Sequence, residues 1–224
     1  MKKWISYIIL CIIIPALVTA GTFIFKDKQY AWVSLCTVIL SCVPFFMRFE
    51  KREKNIKRMI LIAIMIALSS IGRIIFAPIP GFKPVTAMTV ITAMYFGSEA
   101  GFMTGALSAV ISNFFFGQGP WTPFQMFSWG ILGFIAGLIA DPLRRNKIIL
   151  TIYAIFSGIL FSLIMDVWTV LWSDGYFNFS RYLAATISAV PFTVIYAVSN
   201  VIYLLLFSKP IGKILDRIKV KYDL

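Results

Sequence analysis

The chain has 224 residues, of which 60% are hydrophobic and only 13% are charged, and its mean hydropathy is +0.88. This composition excludes a soluble globular domain, and repeated apolar runs of about 20 residues predict a polytopic helical membrane protein. The net charge of +12 does not indicate a nucleic-acid partner, because the cations lie in short segments between the apolar runs. The chain has no histidine, and its cysteines (Cys11, Cys36 and Cys42) lie in apolar sequence, which argues against a disulfide framework or a metal site.

Residues 1–58 are predicted to form a two-helix transmembrane hairpin followed by a basic loop. The first apolar run covers residues 4–25 and the second covers 30–47, and the charged segment 48–58 follows. The stretch Val18-Thr19-Ala20 resembles a signal-peptide cleavage site, so a cleaved signal is the alternative for the first run. A multispanning protein needs no such signal, and the run continues past Ala20.

Residues 59–224 are predicted to form a six-helix body with a basic tail, which makes the whole chain an all-α membrane bundle. The second of these helices is short and begins at Pro84. The predicted spans are 59–77, 84–97, 99–117, 123–140, 148–172 and 182–208.

The distribution of Lys and Arg predicts the topology. Eight spans place both termini on one side of the membrane. The segments on that side hold all but five of the 21 Lys and Arg residues, and the positive-inside rule makes that side cytoplasmic. The five remaining cations are Lys26, Lys28, Arg73, Lys83 and Arg181. We therefore predict a multi-pass protein of the bacterial cell membrane with both termini in the cytoplasm.

Three loops are then expected on the outer side. Loop 78–84 is rich in proline around Gly81, a pattern that favours an ordered backbone displaying Phe82 and Lys83. Loop 117–123 is polar and aromatic. Loop 173–181, which includes Tyr176, is a candidate lid over the other two.

Two ionisable residues, Arg73 and Asp166, lie inside predicted spans near their outer ends. Charges at membrane depth are costly and usually face the bundle interior or a cavity. Three interpretations stay open: a structural salt bridge between the two residues, an Arg73 side chain that extends to the interface, or contacts to a ligand from outside.

An aromatic and amide surface is predicted beside the second loop. Trp121, Gln125 and Trp129 recur at a spacing of four residues and share one helix face. Asn113 on the preceding helix and Gln118 in the loop add further amides. An interfacial aromatic belt also explains Trp121. A flat heterocyclic ligand suits this surface, because rings stack while amides bond to ring edges.

Small residues at a spacing of four predict close helix packing. The pairs Gly101/Gly105 and Gly133/Gly137 are assigned to packing within the bundle, whereas Ala63/Ala67 is assigned to a partner protein. The sequence contains no nucleotide-binding loop, no metal-ligand grouping and no histidine for a catalytic triad. We therefore predict neither catalytic residues nor a cofactor, and no ATP hydrolysis by this chain.

Residues 59–208 resemble the substrate-binding (S) component of energy-coupling factor (ECF) vitamin transporters. The resemblance rests on the six-span body, on Ala63 and Ala67 in its first helix, and on a central pattern. That pattern comprises Phe82-Lys-Pro84, Gly97, Gly101, Ser112-Asn113, Gly117-Gln-Gly-Pro-Trp121-Thr-Pro-Phe-Gln125 and Trp129-Gly130. Residues 1–58 fall outside it.

The resemblance implies a subunit that captures a vitamin from outside and associates with a transmembrane coupling protein and two ATPase subunits. In this family the S component topples to carry its site to the cytoplasm. The resemblance also implies that Ala63 and Ala67 contact the coupling protein. The pattern is most similar to members assigned to cobalamin or its precursors. Riboflavin, pantothenate or a queuosine precursor are alternative ligands, and a stand-alone secondary transporter is the alternative from another class.

Overall fold

The computed structural model describes residues 30–52 and 55–222, and within these ranges the chain is helical, with short connecting loops and no strand. The helices in chain order are α1 (Tyr30–Arg52), α2 (Ile56–Ile75), α3 (Val85–Phe96), α4 (Ser98–Phe116), α5 (Trp121–Leu138), α6 (Ala140–Arg145), α7 (Lys147–Asp174) and α8 (Phe179–Tyr222). This architecture confirms the predicted membrane helical bundle. The first predicted span, the candidate cleavage site and Cys11 lie outside the described residues.

Among the described helices, three are long and apolar enough to cross a membrane by length and composition: α2, α7 and α8. Helix α3 has only 12 residues, and at about 1.5 Å per residue it is roughly 18 Å long, against about 30 Å of hydrocarbon. Every residue of α3 except Tyr95 is buried, because α2, α4, α5 and α8 surround it. Uniform burial explains why its sequence is apolar on all faces rather than amphipathic.

Helices α4 and α5 form a closely packed pair, as the glycine spacing predicted. A side chain at Gly101 would collide with the backbone of Gly133, and one at Gly105 would collide with the backbone at Trp129. The two backbones can therefore approach only because these positions lack a Cβ atom. This contact fixes the position of Trp129 relative to α4.

Helix α1 packs against α4 and α5 along one side of the bundle. Phe45 stacks on Phe102 with ring centroids 4.0 Å apart, and its ring lies edge-on to Phe134. Cys42 is buried beside this cluster. The described part of the predicted hairpin therefore covers α4 and α5.

Helix α8 has 44 residues and continues to Tyr222, well past the predicted span end at residue 208. Its last turns cross the end of α3, where the Lys219 ammonium donates a hydrogen bond to the carbonyl oxygen of Tyr95. Burial, together with the nearby cations Arg58 and Arg144, lowers the pKa of Lys219. The basic tail is thus an ordered part of the bundle.

Candidate functional site

Arg73 lies near the C-terminal end of α2 and is only 4% exposed. Its guanidinium group donates hydrogen bonds to the hydroxyl of Ser112 and, at 2.8 Å, to Oδ1 of Asn113. Rings of Phe116 and Trp129 lie over the same group, at 4.6 and 5.0 Å from the guanidinium carbon. Cation–π contacts of this kind stabilise a desolvated cation in part. The predicted site residues Arg73, Asn113 and Trp129 are therefore in direct contact.

Asn113 is fully buried and connects α2 with α5. Its amide nitrogen donates to Oγ1 of Thr122 at 2.9 Å and to Oε1 of Gln125 at 2.8 Å. An Asn side chain can take part in four hydrogen bonds, and Asn113 takes part in three of them within this apolar bundle. The buried amide thus orients Arg73 on one side and Gln125 on the other.

Trp129 belongs to a stack of aromatic rings that reaches across the bundle. Its ring lies parallel to Phe161 of α7, with centroids 4.9 Å apart, and Phe161 contacts Tyr196 of α8 at 5.2 Å. These rings form a wall behind the guanidinium group.

The connection 76–84 between α2 and α3 is ordered, as its prolines and glycine predicted. Gly81 has φ = 78°, a conformation that favours glycine, and Ile195 of α8 lies 3.0 Å from where its Cβ would be. The backbone N–H of Lys83 donates to Oγ of Ser199 at 2.9 Å. Because Ser199 lies far along α8, the first turns of α8 extend roughly 25–30 Å beyond this connection.

Phe82 and Lys83 differ in their surroundings. The half-buried Phe82 ring packs inward against Phe76 and Tyr203, with centroids 5.9 and 5.0 Å away, whereas display on the loop was expected. Apolar contact area in the core stabilises this orientation. The Lys83 ammonium lies 6.0 Å from the centre of the Phe116 ring, so it shares that ring with Arg73.

Asp166 does not pair with Arg73. It lies on α7 next to Thr186 of α8, is 8% exposed, and has one carboxylate oxygen without a hydrogen-bond partner among the described residues. Of the three interpretations of the two intramembrane charges, the structural salt bridge is therefore not formed. Asp166 instead lies where α7 packs against α8.

The remaining predicted residues lie at the edge of this cluster. Gln118 donates to the carbonyl oxygen of Val110 and accepts from Thr122, which holds the α4–α5 loop. Trp121 packs beside Phe124 and Trp168 rather than beside Arg73. Tyr176 is 51% exposed in the α7–α8 loop, which a 2.7 Å ion pair between Arg181 and Asp174 closes.

Several residues of this cluster were not predicted as site residues from the sequence: Ser112, Phe116, Thr122 and Tyr196. Ser112 directly precedes the predicted Asn113, and Thr122 lies four residues after the predicted Gln118. A search at i, i+4 spacing from Gln118 would therefore have found Thr122. Phe116 and Tyr196 carry no distinguishing signal in an aromatic-rich chain. Their roles depend on which helices are neighbours.

The arrangement offers binding groups rather than catalytic ones. It contains a buried cation, amides, hydroxyls and aromatic faces, without a nucleophile activated by a base. No group of three His, Cys, Asp or Glu side chains that could hold a metal ion occurs in the described ranges. Such a surface can recognise a solute through stacking and hydrogen bonds.

A cavity of about 510 Å³ lies away from this cluster, between α1, α2, α4 and α5. Its lining is apolar apart from Glu50. Because it offers almost no hydrogen-bonding groups, this cavity lacks the polar contacts that fix the orientation of a polar solute.

Ala63 and Ala67 lie on the face of α2 that no described helix covers. Both are exposed, together with the neighbouring large residues Ile60, Ile64 and Leu68. The described part of the N-terminal hairpin packs elsewhere, on α4 and α5. This face of α2 is open to lipid or to a partner helix.

Comparison with known proteins gives consistent results for the body. A model of the family described as ECF-type riboflavin transporter, S component, matches residues 53–215. The chain is also 30% identical over 146 residues to a UPF0397 protein of Aliivibrio salmonicida (strain LFI1238), over 63% of this chain and 76% of that relative. No solved structure matches the chain significantly. Because the family match covers well over half of the sequence, the chain belongs to the family of ECF-type riboflavin transporter S components.

Proposed function

We propose that this chain captures a vitamin from the outer side of the membrane and delivers it to an ATP-driven importer, with cobalamin or a related precursor as the favoured ligand. Family membership makes it a multi-pass substrate-binding subunit of an ECF transporter, and this is a family of transporters, not of enzymes. The identity of the solute is the part that we add. It rests on the chemistry of the Arg73 cluster and on the sequence pattern around it.

The observation that carries the proposal is the connected, mostly buried cluster of Arg73, Asn113, Gln125 and Trp129. Aromatic faces stack on a planar ring system, and amide groups bond to polar substituents at its edge. Cobalamin and its precursors offer a large conjugated ring bordered by amides and acids. Riboflavin, which appears in the family's description, offers a smaller ring with carbonyl groups, and pantothenate and a queuosine precursor also remain alternatives.

The outer location of the site is part of the proposal. The positive-inside rule places the basic segments, including the α6 region with Arg144 and Arg145, in the cytoplasm. The Arg73 end of α2 then faces outward, and both termini are cytoplasmic. The exposed α7–α8 loop with Tyr176 lies on the same outer side in this orientation, and its role as a lid over a bound solute stays a prediction.

The proposed partners are a transmembrane coupling protein and two ATPase subunits. The exposed alanines Ala63 and Ala67 support a docking face on α2, since small side chains allow a partner helix to approach closely. Arg73 and these alanines lie on the same helix, so movement of α2 would connect the solute site with the partner. A stand-alone secondary transporter remains the alternative, and it would require no ATPase subunit.

Titration of the purified chain with cobalamin, riboflavin and pantothenate tests the solute assignment. We expect the strongest binding for cobalamin. Binding of riboflavin or pantothenate alone would assign the site to that vitamin instead. Absence of binding for cobalamin, its precursor cobinamide and the other two vitamins would contradict vitamin capture by this chain.

A further inference from the structure

Arg73 carries a charge that no carboxylate of the described residues neutralises. The residue is only 4% exposed, and no described carboxylate lies within ion-pair distance of it. On the same half of the bundle, Asp174 is paired with Arg181, and Asp166 lies beside α8. An isolated buried charge is strongly unfavourable, so a site of this kind is complete only when an anion is present.

Hydrogen-bond donors without a partner occur on Arg73 itself and on two residues linked to it, Gln125 through Asn113 and Lys83 through the Phe116 ring. Nε of Arg73 is buried without a partner. The amide nitrogen of Gln125 makes no hydrogen bond to another described residue, because Asn113 occupies only its oxygen. The Lys83 ammonium likewise has no hydrogen bond or ion pair in the described ranges, and its contact is the Phe116 ring. All three groups donate, whereas none is a free acceptor.

The direction of the hydrogen bonds explains this excess of donors. Arg73 donates to Asn113, and Asn113 donates to Gln125. In each bond the oxygen of an amide side chain accepts, and the nitrogen of the same amide is left to donate to the next residue. The last amide in this series is Gln125, so its N–H groups are left to donate. The cluster is therefore polarised, and its complement is a group with several acceptor oxygens and negative charge.

Phe116 covers this charge with its ring. Its ring lies 4.6 Å from the Arg73 guanidinium and 6.0 Å from the Lys83 ammonium, and it is 38% exposed. The residue closes α4 next to Gly117, whose φ of 95° favours glycine. A ring face offsets a cation only partly, so a carboxylate or phosphate is the better partner for the two cations.

We propose that the solute is an acid: it presents a carboxylate or phosphate group that Arg73, Lys83 and the Gln125 amide bind together. This inference rests on the proposed function, since it describes the solute of the same site. It separates ligand candidates by charge, because cobalamin carries a phosphodiester and pantothenate a carboxylate, whereas riboflavin has neither. A carboxylate and a phosphate share the chemistry that the cluster recognises.

Mass spectrometry of small molecules retained by the purified full-length chain tests the proposal. We expect the retained solute to contain a carboxylate or phosphate group. A retained solute without an anionic group would overturn this inference while supporting solute capture. If nothing is retained and none of cobalamin, pantothenate and riboflavin binds, both the inference and the proposed function fail.

Variants then test the residues, with matched pairs of probes that differ in charge: pantothenate against its alcohol panthenol, and riboflavin 5′-phosphate against riboflavin. For the pair whose scaffold binds, we expect a preference of about 10-fold or more for the anionic member. Arg73→Gln and Lys83→Gln should each remove most of that preference. Equal binding of both members, or an unchanged preference in both variants, would contradict the proposal.

Two exposed cations at the other end of the bundle serve as controls. Arg145→Gln and Lys213→Gln remove the same charges at positions far from the cluster and should leave the preference unchanged. If Arg73→Gln does not fold, Lys83→Gln decides the result, because the Lys83 side chain makes no hydrogen bond or ion pair that the described fold requires. A loss of preference in the controls as well would show a general charge effect and overturn the proposal.

Discussion

Arg73 of α2 donates a 2.8 Å hydrogen bond to Asn113 of α4, and this bond joins the helix with the exposed alanines to the α4–α5 pair, which carries Trp129. Both side chains are buried. Asn113 is therefore the centre of the polar cluster, and the effect of replacing its side chain can be predicted.

Asn113→Leu should destabilise the chain and weaken solute binding. The change leaves Arg73, Thr122 and Gln125 each without one hydrogen-bond partner in a buried region, at a cost of about 1–3 kcal/mol for such a group. We expect a thermal midpoint roughly 3–10 °C lower, measured on the purified protein in lipid nanodiscs. Ser188→Ala, at an exposed position of α8, is the control and should change the midpoint little. An unaltered midpoint for Asn113→Leu would mean that the cluster contributes nothing to the fold.

Gln125→Ala should lower solute affinity about 10-fold, because it removes an amide whose nitrogen is available to a ligand. Trp121→Ala should have a smaller effect, since the Trp121 ring packs beside Phe124 and Trp168 and away from Arg73. Titration with the bound vitamin measures both. Phe156→Ala removes an exposed ring on α7 and should be neutral. Unchanged affinity in both site variants would remove Gln125 and Trp121 from the binding surface.

Ala63→Trp and Ala67→Trp should abolish ATP-driven uptake while solute binding is retained. A bulky ring on this exposed face would keep a coupling helix from approaching α2, whereas Arg73 lies about two to three turns further along the helix. Uptake into cells and binding by the purified chain are the two readouts. Ile155→Trp, on an exposed face of α7, is the matched control and should transport normally. Normal uptake by both alanine variants would rule out docking at this face.

A cysteine at position 118 should react with a membrane-impermeant label from outside the cell. A cysteine at the neighbouring position 119 is less suitable, because the Trp121 ring occupies the space where its Cβ would lie. The experiment needs a background without native cysteines, since Cys36 is exposed. Lys147→Cys should be labelled only after the membrane is permeabilised. The opposite pattern would invert the proposed topology.

The sequence predicted the helical bundle and the ordered loop well, because hydrophobic run length and proline–glycine chemistry are local properties. It also placed the short second body helix correctly: residues 84–97 were expected, and α3 covers Val85–Phe96. Arg73, Asn113, Gln125 and Trp129 were all identified individually. A charge or amide in an apolar run stands out from its neighbours, and this signal requires no knowledge of the fold.

Features that depend on helix neighbours were less predictable. The pairing of Arg73 with Asp166 could be neither predicted nor excluded, because it depends on the rotation of α2 and α7. The inward position of Phe82 depends on Tyr203, which lies more than a hundred residues further along the chain. The sequence contains a local signal for the continuation of α8 past residue 208. Ile211, Leu215 and Ile218 recur at helical spacing and are at least partly buried, so the tail is amphipathic.

Affinity purification of the tagged chain from its native membrane, followed by identification of the associated proteins, is the most direct test of its assignment as the solute-binding subunit of an ECF importer. The account predicts that a transmembrane coupling protein and two ATPase subunits purify with the wild-type chain and are lost with Ala67→Trp. A chain that purifies without ATPase subunits, and that transports its solute when reconstituted alone, would contradict the account and favour a stand-alone secondary transporter.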